Sequence, residues 1–238
     1  MSANRFSVRP LYLQVRDALL EQITSGVWHP GFVMPNEGDL AREFGVSAGT
    51  IRKALDILEG ERVLTRKAGR GTTVNDQGAG KLANRFCNIV GTHSSPITAR
   101  VTVGSITEEV PNEIDRARLR LQPCHKVYRV RRLHLHDDRP FMVEDVSLPS
   151  DLFPGLIERP EAAERVTVLA QRYGILLRRA EERLSMAVAE PTFAEALQIS
   201  VGSPVTVLDR VVFALDERAV ERRVAYCNFG KEWASLPQ

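Results

Sequence analysis

The sequence predicts an α+β protein of two units: a small helical unit with a two-stranded hairpin, and a larger unit built on an antiparallel sheet. Three observations carry this. Between residues 11 and 58, apolar side chains recur at helical spacing in three blocks separated by glycine and proline turns. From about residue 86 the pattern changes to β-branched and aromatic runs broken by short charged turns. This second part also repeats itself. At an offset of 78, Leu119 meets Leu197, Leu121 meets Ile199, Val127 meets Val205, Arg132 meets Arg210 and Leu133 meets Val211. Two such halves most simply build one antiparallel sheet with helices on one side.

The elements follow in order. Leu11, Val15, Leu19 and Ile23 recur every fourth residue, and Gly26 ends that helix. Pro30-Gly31 is a turn. Asn36 can cap a second helix that buries Leu40, Ala41 and Phe44 and stops at Gly45. Ser47 can cap a third that buries Ile51, Ala54, Leu55 and Leu58. Residues 63–65 and 72–74, around a turn at Gly69 to Gly71, make a hairpin. Residues 76–85 are glycine-rich, polar and aperiodic, and read as a flexible linker between units at 8–75 and 86–238. In the second unit, residues 97–103, 126–135, 141–148, 175–188, 205–215 and 219–229 read as strands. Residues 113–121, 161–173 and 192–199 read as helices, and 136–139 and 215–218 as hairpin turns.

Composition narrows the class. Of 238 residues, 43% are hydrophobic and 26% charged, as in a soluble globular protein, and the net charge is only +2. A nucleic-acid partner would therefore have to be held by a local patch. Cys87, Cys124 and Cys227 are scattered and form no CxxC, which points to a reducing cytoplasm and away from a disulfide framework or a cysteine zinc site. No run approaches the ~18 apolar residues of a membrane span, so no membrane partner is expected. No cofactor is implied.

Such a patch exists in the first unit. Two short helices joined by a tight turn, the second opening on small polar residues, have the layout of a helix-turn-helix. Arg52 and Lys53 lie on the early turns of the third helix, and Arg66, Lys67 and Arg70 lie on the hairpin, the wing. These five supply phosphate contacts that release counterions. Ser47, Ala48, Gly49 and Thr50 form the helix N-terminus, where backbone amides and the dipole favour phosphate. Asn36 and Glu37 open the second helix, and Gly71 and Thr72 close the wing turn. All thirteen are candidate contacts to double-stranded DNA.

Pro10-Leu-Tyr-Leu-Gln-Val, Met34-Pro-Asn-Glu, Leu40-Ala, Phe44-Gly-Val-Ser, Thr50-Ile-Arg, Ala54-Leu and Gly69-Arg-Gly-Thr together resemble the winged helix of GntR-type bacterial transcription regulators. That resemblance implies homodimers bound to a palindromic operator. The family usually carries arginines where this chain has Gly38 and Ala48. Those arginines tend to read guanine, so an altered operator preference is expected.

The second unit resembles the UTRA effector domain of the HutC subfamily, with a chorismate-lyase-like fold. The matching pieces are Val127-Tyr-Arg-Val-Arg-Arg-Leu, Pro140, Glu144, Ser147-Leu-Pro, Ala196-Leu-Gln-Ile, Gly202-Ser-Pro-Val, Arg210, Val220-Glu221 and Tyr226. The resemblance implies a small-molecule effector held by Arg132, His134, Glu144, Arg210, Arg223 and Tyr226. Arg132 with Arg223 would suit an anionic metabolite, because a guanidinium offers a two-pronged donor. A pocket between the two repeat halves is the natural place for it. The reading is thus a ligand-responsive regulator, a repressor and not an enzyme. Two alternatives stand beside it: a constitutive DNA-binding protein with a vestigial sensor domain, and a metal-responsive regulator using His134, His136, Cys124 and His125.

Overall fold

The computed structural model describes residues 9–83, 86 and 99–229. Residues 84–85 of the expected linker, Cys87, residues 97–98 of the first expected strand, and both termini of the expected units (residue 8 and 230–238) lie outside them. By backbone contacts the chain divides into residues 1–77 and 78–238.

The first unit runs α1 (Leu11–Thr24), α2 (Glu37–Phe44), α3 (Ala48–Gly60), β1 (Leu64–Lys67) and β2 (Gly71–Val74). Its local signals act as their chemistry dictates. The Asn36 side chain accepts from the Asp39 amide, and Ser47 Oγ accepts from the Thr50 amide, each satisfying a donor that helix geometry leaves open. Gly45 ends α2 at φ 63°, a left-handed conformation that glycine adopts at little cost. Val15, Leu19 and Ile23 of α1 and Ile51, Ala54, Leu55 and Leu58 of α3 are buried. β1 and β2 pair from Leu64↔Val74 to Lys67↔Gly71. A bridge Val33↔Thr73, with the Met34 amide donating to Thr72 O at 2.8 Å, adds the segment before α2 to this hairpin. Beside Pro35 it carries no alternating pattern, so the sequence does not reveal it.

The second unit opens with α4 (Gly80–Ala83), a single helical turn inside the stretch expected to be a linker. Just before it, the Gly78 amide donates to Gln171 Oε1 at 2.7 Å. Then come β3 (Arg100–Glu109), α5 (Glu113–Arg118), β4 (Val127–His136), β5 (Arg139–Pro149), α6 (Val166–Arg172), β6 (Leu177–Val188), α7 (Pro191–Leu197), β7 (Pro204–Ala214) and β8 (Ala219–Cys227). The strands form one antiparallel sheet in the order β3-β4-β5-β8-β7-β6. The repeat is visible in that order: the hairpins β4–β5 and β7–β8 meet at a central seam, and β3 and β6 are the two edges.

Three differences from the expectation stand out. β3 reaches Glu109 because a bulge between Val103 and Ile106 lets the ladder continue past Gly104, where the sequence pattern breaks. Helices also cover both faces instead of one. α5 and α7 pack on the face carrying Val127, Leu133 and Val143. The opposite face, with Val130, Val146 and Val212, is covered by α6 and the short helical turns Ser150–Leu152, Leu156–Glu158 and Pro160–Glu164. That segment lies between the two halves and outside the repeat. Arg165, at φ −137° and ψ 130°, is extended and splits the helix expected over 161–173. Among the described residues no helix is long and apolar enough to cross a membrane.

Candidate functional site

The first unit presents its basic residues around α3 and the wing. Ala48, Gly49, Arg52 and Lys53 are exposed along α3, and Lys67, Gly69 and Arg70 are exposed at the wing tip. Lys67 and Arg70 make no ion pair among the described residues, and Lys53 Nζ lies 5.9 Å from the Tyr12 ring centroid. Arg52 and Arg66 are already engaged. Glu37, on α2, receives Arg52 Nη2 at 2.7 Å and Nε at 3.1 Å. Arg66 is held by Asp56 and by Glu59, at 2.8 Å from Nε, with Glu37 4.0 Å away. Hydrogen bonding to Arg66 holds the Glu59 carboxyl below its ordinary value. Asn36 and Ser47 spend their side chains on helix caps. Asp56 and Glu59 were not expected at this surface; their signal was an acidic pair on the helix that packs beside a basic strand. Residues 9–77 contain nine basic and nine acidic side chains, so only the local arrangement favours a polyanion.

In the second unit, alternation along the strands sorts the expected effector residues. Arg132 pairs with Glu144 across β4–β5, and Glu144 with Ala225 across β5–β8, so these share a face. Arg223 and Arg210 are paired on the same face. Tyr226 lies three residues after Arg223 and projects from the other face, where its ring stacks on Phe193 at 3.8 Å. The structure therefore brings together Arg132, His134, Glu144 and Arg223, and puts Tyr226 elsewhere.

These four straddle the central seam and are buried: Glu144 is 0% exposed, Arg132 and Arg223 1% each. Arg132 Nε donates to Ala163 O at 2.6 Å, and Nη2 donates to Glu221 Oε2 at 2.8 Å. Its Nη1 lies 3.5 Å from Glu144 Oε2. Arg223 Nη1 donates to Glu144 Oε1, and Nη2 to Phe86 O at 3.1 Å. His134 Nε2 sits 3.2 Å from Glu144 Oε2, with Phe141 edge-on to its ring. Arg210 extends the cluster through Glu182, 2.7 Å from its Nε. Burial alone would raise Glu144, but Arg223, His134 and Arg132 outweigh it and hold the carboxyl well below the usual carboxylate range. Glu221 was missing from the expected site, although it stands two residues before Arg223 on one strand face. The carbonyls of Ala163 and Phe86 leave no sequence signal.

The remaining candidates fall apart. His136, at the β4–β5 turn, lies 3.6 Å from Asp137. Cys124 and His125 precede β4, whereas His134 is near its far end, about 20 Å away at strand rise. The four residues of the metal reading are therefore not one site. On the opposite face, Asp115 of α5 ties Arg129, Arg222 and Ser147 to the helix. An open groove of about 530 Å³ beside it is lined by Ser105, Thr107, Arg129, Arg131 and Asp145.

Residues 11–74 match the model for bacterial regulatory proteins of the gntR family, and residues 95–230 match the UTRA domain. The chain belongs to the gntR family of UTRA-domain regulators. Among its relatives, the chain is 26% identical over 234 residues to the HTH-type transcriptional regulator YurK of Bacillus subtilis, covering 94% of this chain and 92% of YurK. It is 27% identical to the repressor NagR of Bacillus subtilis, covering 93% and 91%. It is also 27% identical to the Escherichia coli repressor MngR, covering 83% and 82%. The fold of the Bacillus subtilis regulator YydK superposes over 96% of this chain and 99% of that one, with TM-score 0.55 at 16% identity. The ligand-binding domain of a GntR-family regulator from Bordetella bronchiseptica covers 65% of this chain and 97% of its own, with TM-score 0.59 at 21% identity. This gntR-family chain is a DNA-binding transcription regulator whose second domain is of the effector-binding type.

Proposed function

We propose that the chain acts as a homodimeric repressor in the cytoplasm. Its winged helices (8–75) grip a palindromic operator, and its effector and dimerisation domain (86–238), joined by a linker at 76–85, senses a small metabolite. The observation that carries the DNA reading is the exposed basic run from α3 to the wing, Arg52, Lys53, Lys67 and Arg70, on a unit whose basic and acidic side chains balance as a whole. The relatives NagR and MngR are repressors, MngR of a mannosyl-D-glycerate transport and metabolism system, which favours repression of a metabolic system here as well. The effector site is the buried cluster at the seam. Arg132 and Arg223 are each already paired with a carboxylate, so an anionic effector binds there by exchange with Glu144 or Glu221. That exchange shifts the population between DNA-competent and incompetent states of the dimer. No catalytic step is assigned to any of these residues.

The test is a footprint of the purified protein on DNA upstream of its own gene at moderate salt. A protected palindrome is expected, and metabolite extracts should then release it. Diffuse, salt-sensitive binding without a protected site would refute a specific regulator of that promoter.

A further inference from the structure

The wing carries its basic residues on a ribbon too short to hold its own direction. β1 and β2 have four residues each and form a two-stranded sheet. A hairpin of that size is marginal in water without outside support. On the β2 side the segment before α2 supplies it. The Gly31 and Met34 amides donate to Val74 O and Thr72 O at 2.9 and 2.8 Å, and the Val74 amide donates to Phe32 O at 3.0 Å. On the β1 side Arg66 reaches α3. Its amide donates to Glu59 Oε1 at 3.1 Å, and its Nε and Nη2 lie 2.8 and 2.7 Å from Glu59 Oε2. Nη2 also donates to Asp56, about one turn earlier on α3, and Nη1 lies 4.0 Å from Glu37 on α2. One side chain of the wing therefore meets carboxylates from both helices of the helix-turn-helix.

We propose that Arg66 is a positioning residue: it takes no DNA phosphate, and it fixes the wing to α3 so that Lys67 and Arg70 reach the DNA at a set distance from Arg52 and Lys53. The inference rests on the operator-binding reading above and deepens it. Two comparisons within the unit separate Arg66 from its basic neighbours. Lys67 and Arg70 are exposed and make no ion pair among the described residues. Arg52 is 63% exposed and pairs with Glu37, whereas the Arg66 side chain is 28% exposed and serves two carboxylates of α3. A phosphate that captured Arg66 would leave Asp56 and Glu59 uncompensated beside a polyanion, so the exchange is unfavourable. The planar guanidinium also matters. It spans both carboxylates at once, which the point charge of a lysine does not reproduce.

The experiment uses the full chain, an operator selected from randomised duplexes, and random duplex DNA. Asp56→Asn with Glu59→Gln removes two negative charges from the DNA side and also removes the clamp. Charge alone predicts tighter operator binding; positioning predicts operator binding weakened about tenfold while random DNA is bound no more weakly. Arg66→Lys keeps the positive charge, and should weaken operator binding with an unchanged log–log salt slope. Arg70→Ala adds a coupling test: its loss of operator affinity in the unaltered protein should shrink to less than about twofold in the Asn/Gln background, because an unheld wing no longer delivers Arg70. Circular dichroism should be unchanged in every variant, since Asp56 and Arg70 are exposed and Glu59 and Arg66 are half-buried. Tighter operator binding by the Asn/Gln variant would overturn the proposal, showing Arg66 to be a DNA contact masked by acids. A full, additive Arg70→Ala loss in that background would overturn it as well. An unaltered protein with no preferred operator would overturn both this role and the operator reading.

Discussion

Glu144 is the residue on which the buried cluster turns, and Glu144→Gln exposes its energetics. The carboxylate is fully buried and sits between Arg223, Arg132 and His134, with Oε1 facing Arg223 and Oε2 facing the other two. Glutamine keeps the shape but can offer an acceptor on only one side. Its amide NH2 must then replace a carboxylate oxygen that faced a guanidinium, setting donor against donor, or turn to His134 and leave a guanidinium with one charged acceptor fewer. Removing one member of a buried ion pair typically costs about 3–5 kcal/mol. Glu221 still compensates Arg132, so the lower half of that range is expected, about 3 kcal/mol. For a unit of this size that lowers Tm by roughly 6–12 °C. The pH dependence gives a second, independent reading. The folded-state carboxyl of Glu144 lies well below its unfolded value, so its stabilisation is fully present above about pH 4.3 and is lost as pH falls through the folded value. Urea unfolding followed by circular dichroism at several pH values checks both. The unaltered protein should lose stability on acidification below about pH 4, and the Gln variant should lose less. A cost under about 1 kcal/mol, with an unchanged acid profile, would refute the claim that this cluster is a coupled buried ion network.

Four further outcomes follow from the same geometry. Glu37→Gln releases Arg52 and removes a negative charge beside the DNA surface. Binding to random DNA should tighten and its log–log salt slope steepen by about 0.9, while preference for the operator over random DNA falls, as measured by anisotropy titrations. Arg70→Ala should reduce the salt slope by about 0.9 with no change in unfolding midpoint, since Arg70 is exposed and makes no ion pair among the described residues. Ala48→Arg should shift base preference toward guanine in a selection from randomised operators. Gly38→Arg should do so less cleanly, because a Cβ there comes within 3.2 Å of Asn36 Oδ1, the cap of α2. Alkylation followed by mass spectrometry should label exposed Cys124 in the native protein and spare Cys227, whose thiol burial pushes up in pKa, until the chain is unfolded.

Much of this protein is written locally. The three helices of the first unit come from four-residue apolar spacing. Their ends come from Asn36, Gly45 and Ser47, each acting on backbone within three or four residues. The wing follows from a glycine turn between short strands. The 78-residue repeat dictated the paired hairpins of the second unit, and strand alternation, applied strictly, already separates Tyr226 from Arg223. Other features depended on residues distant in sequence. The sequence nominated Arg52, Arg66, Arg132 and Arg223 for contacts with other molecules. Only the folded chain showed that Glu37, Asp56, Glu59, Glu144 and Glu221 had reached them first. Arg132 meets Glu221 across 89 residues, and Arg223 meets Glu144 across 79. The segment 150–172, outside the repeat, decided that both sheet faces would be covered. Helix, turn and strand propensities are set by near neighbours and so can be read along the chain. Which buried charges neutralise one another is set by strand order and register, which bring together residues that no local pattern connects.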